Sequence, residues 1–170
     1  MITPGYIRTM AAYNAELNRR IYGAAATLTD AERRADGGAF FKSIHATLSH
    51  ILWADMIWLS RFGVGSPPTV PIARSGSFVE DFDDLRRRRE ALDATIIEWG
   101  ERVQPEELPG DITWHSGAVG REMRKPKMLC IMQLFNHQTH HRGQVHALLT
   151  RAGADTGATD LPFVLPEQPA

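Results

Sequence analysis

The chain has 170 residues, near the usual size of one domain, and 43% of them are hydrophobic, enough to bury a sizeable core. Lys plus Arg number 19 against 20 for Asp plus Glu, so the field needed to hold a polyanion or an anionic membrane is missing and nucleic acid is not an expected partner. Cys130 is the one cysteine, which excludes an internal disulfide and a zinc site built from several thiolates; any metal would rest mainly on nitrogen and oxygen.

The opening stretch "MITPGYIRTMAAYNAELNRR" has no basic segment followed by a continuous apolar run, so a secretory signal is not expected. The most apolar window, "HILWADMIWLSRF", is broken by Asp55 and is too short to span a bilayer. These features predict a cytoplasmic protein without a membrane partner, consistent with a small-molecule substrate.

In chain order, Thr3 and Pro4 read as an N-cap followed by proline in the first helical position. The first helix then runs toward Leu28, with Tyr6, Met10, Tyr13, Leu17 and Ile21 along one face. A second helix covers about Phe41 to Phe62, where Ile44, Leu48, Ile51, Leu52, Leu59 and Phe62 form an apolar stripe that "GVGSPP" ends. A third is predicted to begin at a Ser77/Glu80 capping box and to continue to Val103, with Phe82, Leu85, Leu92, Ile96 and Trp99 inward. Its run "RRRRE", Arg86 to Glu90, reads as a solvated surface.

Between the third and fourth helices, Asp111 to His115 and Gly120 to Arg124 can pair as a short hairpin. The fourth helix is predicted from Pro126 to Gly153, a C-terminal cap. The tail, 154–170, with Pro162, Pro166 and Pro169, is expected to lie across the helices or to be partly mobile. The pattern predicts a single all-α domain over 1–170, a four-helix bundle with one hairpin-like excursion before the last helix.

The chemistry concentrates in "NHQTHHRGQVHALL", Asn136 to Leu149. At 100° per residue His137 and His141 lie about 40° apart and one turn apart along the axis, so they share a face with Cys130, Leu134, Gln144 and Leu148. Two imidazoles at this spacing can reach one metal ion. His140 lies about 60° to the other side of His137, which leaves an i, i+3 pair as an alternative, and His146 is expected to be solvated.

A third donor should come from another helix, and His50 is the choice, because Ala46 and Ala54 one turn to either side leave room beside its ring. His45, roughly 140° away from His50, is expected at a surface or edge. A histidine taken alone is more often a packing residue bonded to a carbonyl than a ligand; the pair on an apolar face together with His50 favours a metal. Gln138 stands where a His-Glu-x-x-His protease keeps its general base, so that chemistry is excluded, and no nucleophile elbow, Walker loop or dinucleotide-binding turn is present.

"SIHATLSHILWADMIWLSRF" followed by "FNHQTHHRGQVHALLTRAG" resembles the DinB/YfiT-like family of metalloenzymes, over nearly the whole chain. The specific part is the pattern of His50, Asp55 and Trp58 together with Asn136 to Gln144. The resemblance implies an up-down-down-up bundle, often a homodimer, with a divalent metal, nickel or zinc, held by His50, His137 and His141. It also implies a thiol-dependent transferase-type activity, in which the metal lowers the pKa of a low-molecular-weight thiol, although one fold hosts several reactions.

Three imidazoles would leave an ion with open positions for water or a thiol. Gln144 is the candidate to orient a bound water or substrate. Asp55 and Arg142 are candidates to fix a ligand helix, by pairing with each other or through a structural salt bridge. Trp53 and Trp58 read as packing residues, Trp114 as a possible pocket wall, and Cys130 as a small core residue. The alternatives to the transferase are a hydrolase using metal-activated water and a non-enzymatic, metal-stabilised, stress-related module.

Overall fold

Thr3 starts the first helix: its hydroxyl accepts from the Tyr6 amide at 3.1 Å and Pro4 occupies the first turn of α1, Pro4–Ala26. The protein is described from a computed structural model covering residues 2–166; Pro169 of the tail lies outside them. A short helix absent from the hydrophobic pattern, α2 (Asp30–Arg34), is closed by a Thr29/Glu32 capping box. Ser43 caps α3, Ile44–Arg61, by accepting from the Ala46 amide.

The third long helix departs from its predicted start. Asp81, accepting from the Asp84 amide at 2.7 Å, caps α4, Phe82–Arg102. Ser77 instead ends a 3₁₀ segment, Ile72–Ser77, that lies along α3. The reason is tertiary: Val79 donates its amide to Ser49 Oγ at 3.2 Å and accepts from His45 Nε2 at 2.8 Å, so this stretch is held against α3 and cannot coil into α4. The strands β1 (Asp111–Ser116) and β2 (Arg121–Pro126) form the predicted hairpin, with Trp114 opposite Met123. The last long helix, α5, covers Lys127–Arg151 and stops at Gly153, whose φ of +80° suits glycine.

The tail lies across α1: a single turn, α6 (Leu161–Val164), packs Val164 on Tyr13 and Leu17, and the Tyr13 hydroxyl donates to the Thr159 carbonyl at 2.6 Å. No helix among the described residues is long and apolar enough to cross a membrane.

Contacts between the four long helices fix their directions. Asn18 meets Asp93 and Tyr22 meets Phe82, so α1 and α4 are antiparallel. His45 meets Phe82 and Asp55 meets Arg89, so α3 and α4 run parallel. Tyr6 against Phe135 and Asn14 against Arg142 make α1 and α5 parallel, and His50 against both His137 and His141 places α3 beside α5. The result is an up-down-down-up four-helix bundle whose parallel neighbours require long crossovers.

The bundle core is layered. One apolar end contains Ile21, Leu48, Leu52, Leu85, Val145 and Leu149, and the other contains Ile7, Leu59, Ile96, Ile131 and Phe135. Between them runs a belt of buried polar side chains: Asn14, Asn18, Asp55, Arg89, Asp93, Gln138 and Arg142. This overturns the solvated reading of the arginine run at one position. Arg86, Arg87 and Arg88 are exposed, but Arg89 is 1% exposed, pairing with Asp55 at 2.5 Å and Asp93 at 2.8 Å. Seven residues after Phe82 and four after Leu85, it occupies an inward position of the helix.

Candidate metal centre

At the level of the polar belt, α5 turns His137 and His141 toward α3, where His50 faces them. His50 Nε2 and His137 Nε2 are 3.2 Å apart, and one ring nitrogen from each of the three histidines lies within 4.8 Å of the others. Two nitrogens each about 2.0–2.1 Å from one ion sit about 3.0–3.4 Å apart at ordinary coordination angles, so the His50–His137 spacing is that of neighbouring ligands.

The ring orientations are fixed from behind. Ser75, buried in the 3₁₀ segment, places its hydroxyl 2.9 Å from His50 Nδ1, and Ser75 in turn accepts from Ser49 through its carbonyl at 3.1 Å. His141 Nδ1 donates to Gln144 Oε1 at 2.9 Å, which leaves Nε2 as the lone-pair nitrogen. The Gln144 amide also donates to His140 Nε2 at 3.3 Å. His137 Nδ1 is buried with no hydrogen-bond partner among the described residues.

Aromatic rings wall the group. Phe41 stacks on His50 with centroids 3.9 Å apart and meets His141 edge-on, while Trp53 lies parallel to His50 on its own helix. The loop that delivers Phe41 is anchored on α5, where Arg151 donates to the Gly37 carbonyl at 2.9 Å and Gly37 approaches Leu148 so closely that a Cβ would collide with it. Lys42, with φ of +68°, takes a left-handed conformation costly for a side-chain-bearing residue, and this turn points Phe41 inward.

Burial keeps the three rings neutral. It lowers His50 to about 3 and His137 to about 4, reinforced for His50 by the facing His137 and His141 and for His137 by His141 and His140. His141 is lowered for the same reason, against the opposing pull of its bond to Gln144. Among the described residues no carboxylate joins the cluster. Three neutral imidazoles with convergent ring nitrogens match the donor chemistry of a divalent ion, and the geometry fits one.

Two cavities meet at the histidines. One, of about 530 Å³, runs along α3 beneath the hairpin and is lined by His50, Trp53, Trp58, Arg61, Trp114 and His137. The other, of about 590 Å³, opens past Phe40, Phe41, His140, His141 and Gln144, and shares His50 and His137 with the first.

Several sequence expectations are corrected here. His45 is 2% exposed and bonded to the Val79 carbonyl, not at a surface, because the crossover after α3 folds back over it. His146 is half-buried, with Nδ1 2.6 Å from Thr156 Oγ1, since the tail returns over that face of α5. His140 is exposed and outside the cluster. Asp55 pairs with Arg89 and not with Arg142, which bonds Gln138 at 2.8 Å and Asn14. Ala46 does not face open space, because Gly76 packs against it, whereas Ala54 does line the groove along α3. Ser75 and Phe41 went unread, as both lie in irregular segments where no periodicity marks an inward residue.

The DinB family model matches residues 1–169. The chain belongs to the DinB family. A comparison with curated protein sequences returns no match. Among solved structures, the DinB-family chain is similar to a DinB-like protein from Bacillus cereus at 21% identity and a TM-score of 0.57, covering 84% of this chain and 89% of that one. It is also similar to YfiT from Bacillus subtilis, described as a probable metal-dependent hydrolase with an unusual four-helix bundle topology. That likeness has 12% identity and a TM-score of 0.65, over 91% of this chain and 92% of YfiT. At these identities the structural likeness establishes the DinB fold.

Proposed function

We propose that this protein is a divalent-metal-dependent enzyme that joins a thiol nucleophile to a small electrophilic substrate, with His50, His137 and His141 holding the ion. The observation that carries the reading is the pair of cavities converging on one three-histidine cluster, which gives a donor and an acceptor separate access to one ion. A bound nickel or zinc ion would supply Lewis acidity, lowering the pKa of a thiol or of water near neutral pH.

The chain's own residues do the rest. Ser75 and Gln144 hold His50 and His141 in orientation, the partner role that usually governs metal affinity. Phe41 and Trp53 shield the His50 ring from water and stiffen the junction between the cavities. Hydrolysis with activated water is the second reading, favoured by the description of YfiT, and it would need only one of the two cavities.

Protein purified without a nickel column should carry about one equivalent of nickel or zinc. Turnover of electrophilic substrates by the loaded protein should then require a low-molecular-weight thiol and saturate in it. Full activity without thiol would establish the hydrolase, and absence of metal under all loading conditions would refute both readings.

A further inference from the structure

One face of α3 carries residues 50, 53, 54, 57, 58 and 61, spaced at three and four, and all of them line the groove beneath the hairpin. His50 and Arg61 are eleven residues apart, about 20° around the helix, and so stand at opposite ends of the same stripe. The Arg61 guanidinium lies over Trp58 at 4.5 Å and Trp114 at 4.9 Å from the ring centroids. Trp58 is eight residues from His50, which puts the cation about 12 Å along the groove from the histidines.

Arg61 makes no ion pair or hydrogen bond among the described residues, although it is half-buried. The two indoles, 5.5 Å apart and meeting edge to face, hold the guanidinium from one side and offer it no acceptor atom, so its N–H groups are left without a protein partner among the described residues. Every other arginine drawn into the interior finds one: Arg89 has Asp55 and Asp93, and Arg142 has Gln138 and Asn14. Burial lowers Arg61 from its usual value, opposed by the nearby Cys130 thiol. Arg61 is the one Arg, Lys, Asp or Glu among the described residues lining the groove; His115, Ser116 and Gln133 add neutral polar groups, and the indole N–H of Trp53 is already committed to the Val70 carbonyl at 2.8 Å.

We propose that the groove along α3 binds a carboxylate-bearing substrate, Arg61 taking the carboxylate in its planar fork and the indoles of Trp58 and Trp114 flanking an apolar body. Its other end lies at the histidines, so this assignment rests on the function proposed above for the placement of the reacting end but not for the anion contact. A single arginine at the end of a groove with no other charged wall residue among those described matches a monoanionic carboxylate, whose two oxygens fit the fork; a phosphate dianion would leave charge uncompensated.

The test uses 4-phenylbutyrate and its neutral isostere 4-phenylbutanamide, with binding followed by quenching of the groove tryptophans in both metal-loaded and chelated protein. The carboxylate should bind about tenfold more tightly than the amide or better. Arg61→Gln and Arg61→Met should bring the two probes to equal affinity without changing metal stoichiometry; the methionine keeps an apolar stem over the indoles in case the glutamine variant folds poorly. Arg61→Lys should keep part of the preference. Preference persisting in chelated wild-type protein supports the anion contact even if the metal assignment fails. Preference that disappears on chelation and survives in Arg61→Gln places the carboxylate on the ion and overturns the proposal, as does equal binding of the two probes or no binding at millimolar concentration.

Discussion

Two neighbouring pairs on the same two turns of α5 end in opposite environments. Gln138 and Arg142 face the bundle axis, and His137 and His141, one residue earlier in each case, face α3 and the cavities. Along the axis the belt balances itself: Arg89 and Arg142 are set against Asp55 and Asp93, with Asn14, Asn18 and Gln138 filling hydrogen-bond positions. At the histidines no acid lies in the cluster among the described residues, only neutral ring nitrogens in close approach. A buried network that serves structure alone neutralises its own charges, whereas a cluster rich in lone pairs and lacking a carboxylate is complete only with a cation.

The sharpest way to break that contrast is to remove a ring. His137→Ala or His141→Ala should abolish stoichiometric metal binding, measured by metal analysis after dialysis, while the urea midpoint of the metal-free protein stays near that of the wild type. His146→Ala, on the tail side of α5, should leave stoichiometry unchanged. Retained binding in both of the first two variants would falsify the ligand set.

Arg89→Met tests the other half. Stranding Asp55 and Asp93 without their cation should cost about 3–5 kcal/mol of unfolding free energy by urea titration, with metal stoichiometry intact in the folded fraction. A loss of metal without a loss of stability would erase the distinction between the two regions. A smaller effect is expected behind the rings: Ser75→Ala and Gln144→Ala should weaken metal affinity about 10- to 100-fold in a competitive chelator titration, with one equivalent still bound at saturation.

The smallest effect concerns His45, buried away from the cluster, whose pKa is lowered from 6.5 mainly by burial. Because its folded value lies below its unfolded one, the unfolded chain binds the extra proton first as the pH drops. Its contribution is therefore full above 6.5 and is lost as pH falls below that value, with a slope of at most about 1.4 kcal/mol per pH unit. His45→Gln, which can still donate to the Val79 carbonyl, should flatten the stability profile between pH 6.5 and 5. An unchanged slope would assign the acid sensitivity elsewhere.

The long helices were legible because their inward faces repeat every three to four residues, and His137 with His141 because one helix sets their separation without help from the rest of the fold. His50 required a guess across helices, guided by small neighbours, of which only Ala54 faces open space. Arg89 was hidden by composition: three exposed arginines precede it, and only its register with Phe82 and Leu85 marks it as inward. The start of α4 was decided by competition between two acceptable caps, Ser77 and Asp81, which contacts of Val79 with Ser49 and His45 resolve. Ser75, Phe41 and the fate of Arg61 depend on how a crossover, a loop and a hairpin fold back onto α3, and no local pattern encodes those returns.

The placement of α3 next to α5 has a mechanical consequence. His50 and His137 are 87 positions apart in the chain, so an ion grasped by both would act as a reversible crosslink that closes off the whole intervening stretch, including α4 and the hairpin. The entropy removed from the opened chain by such a tie grows only slowly with the length enclosed, yet it constrains every route by which the last helix can peel away. Amide exchange along α5 would then slow on metal loading, even at residues far from any imidazole.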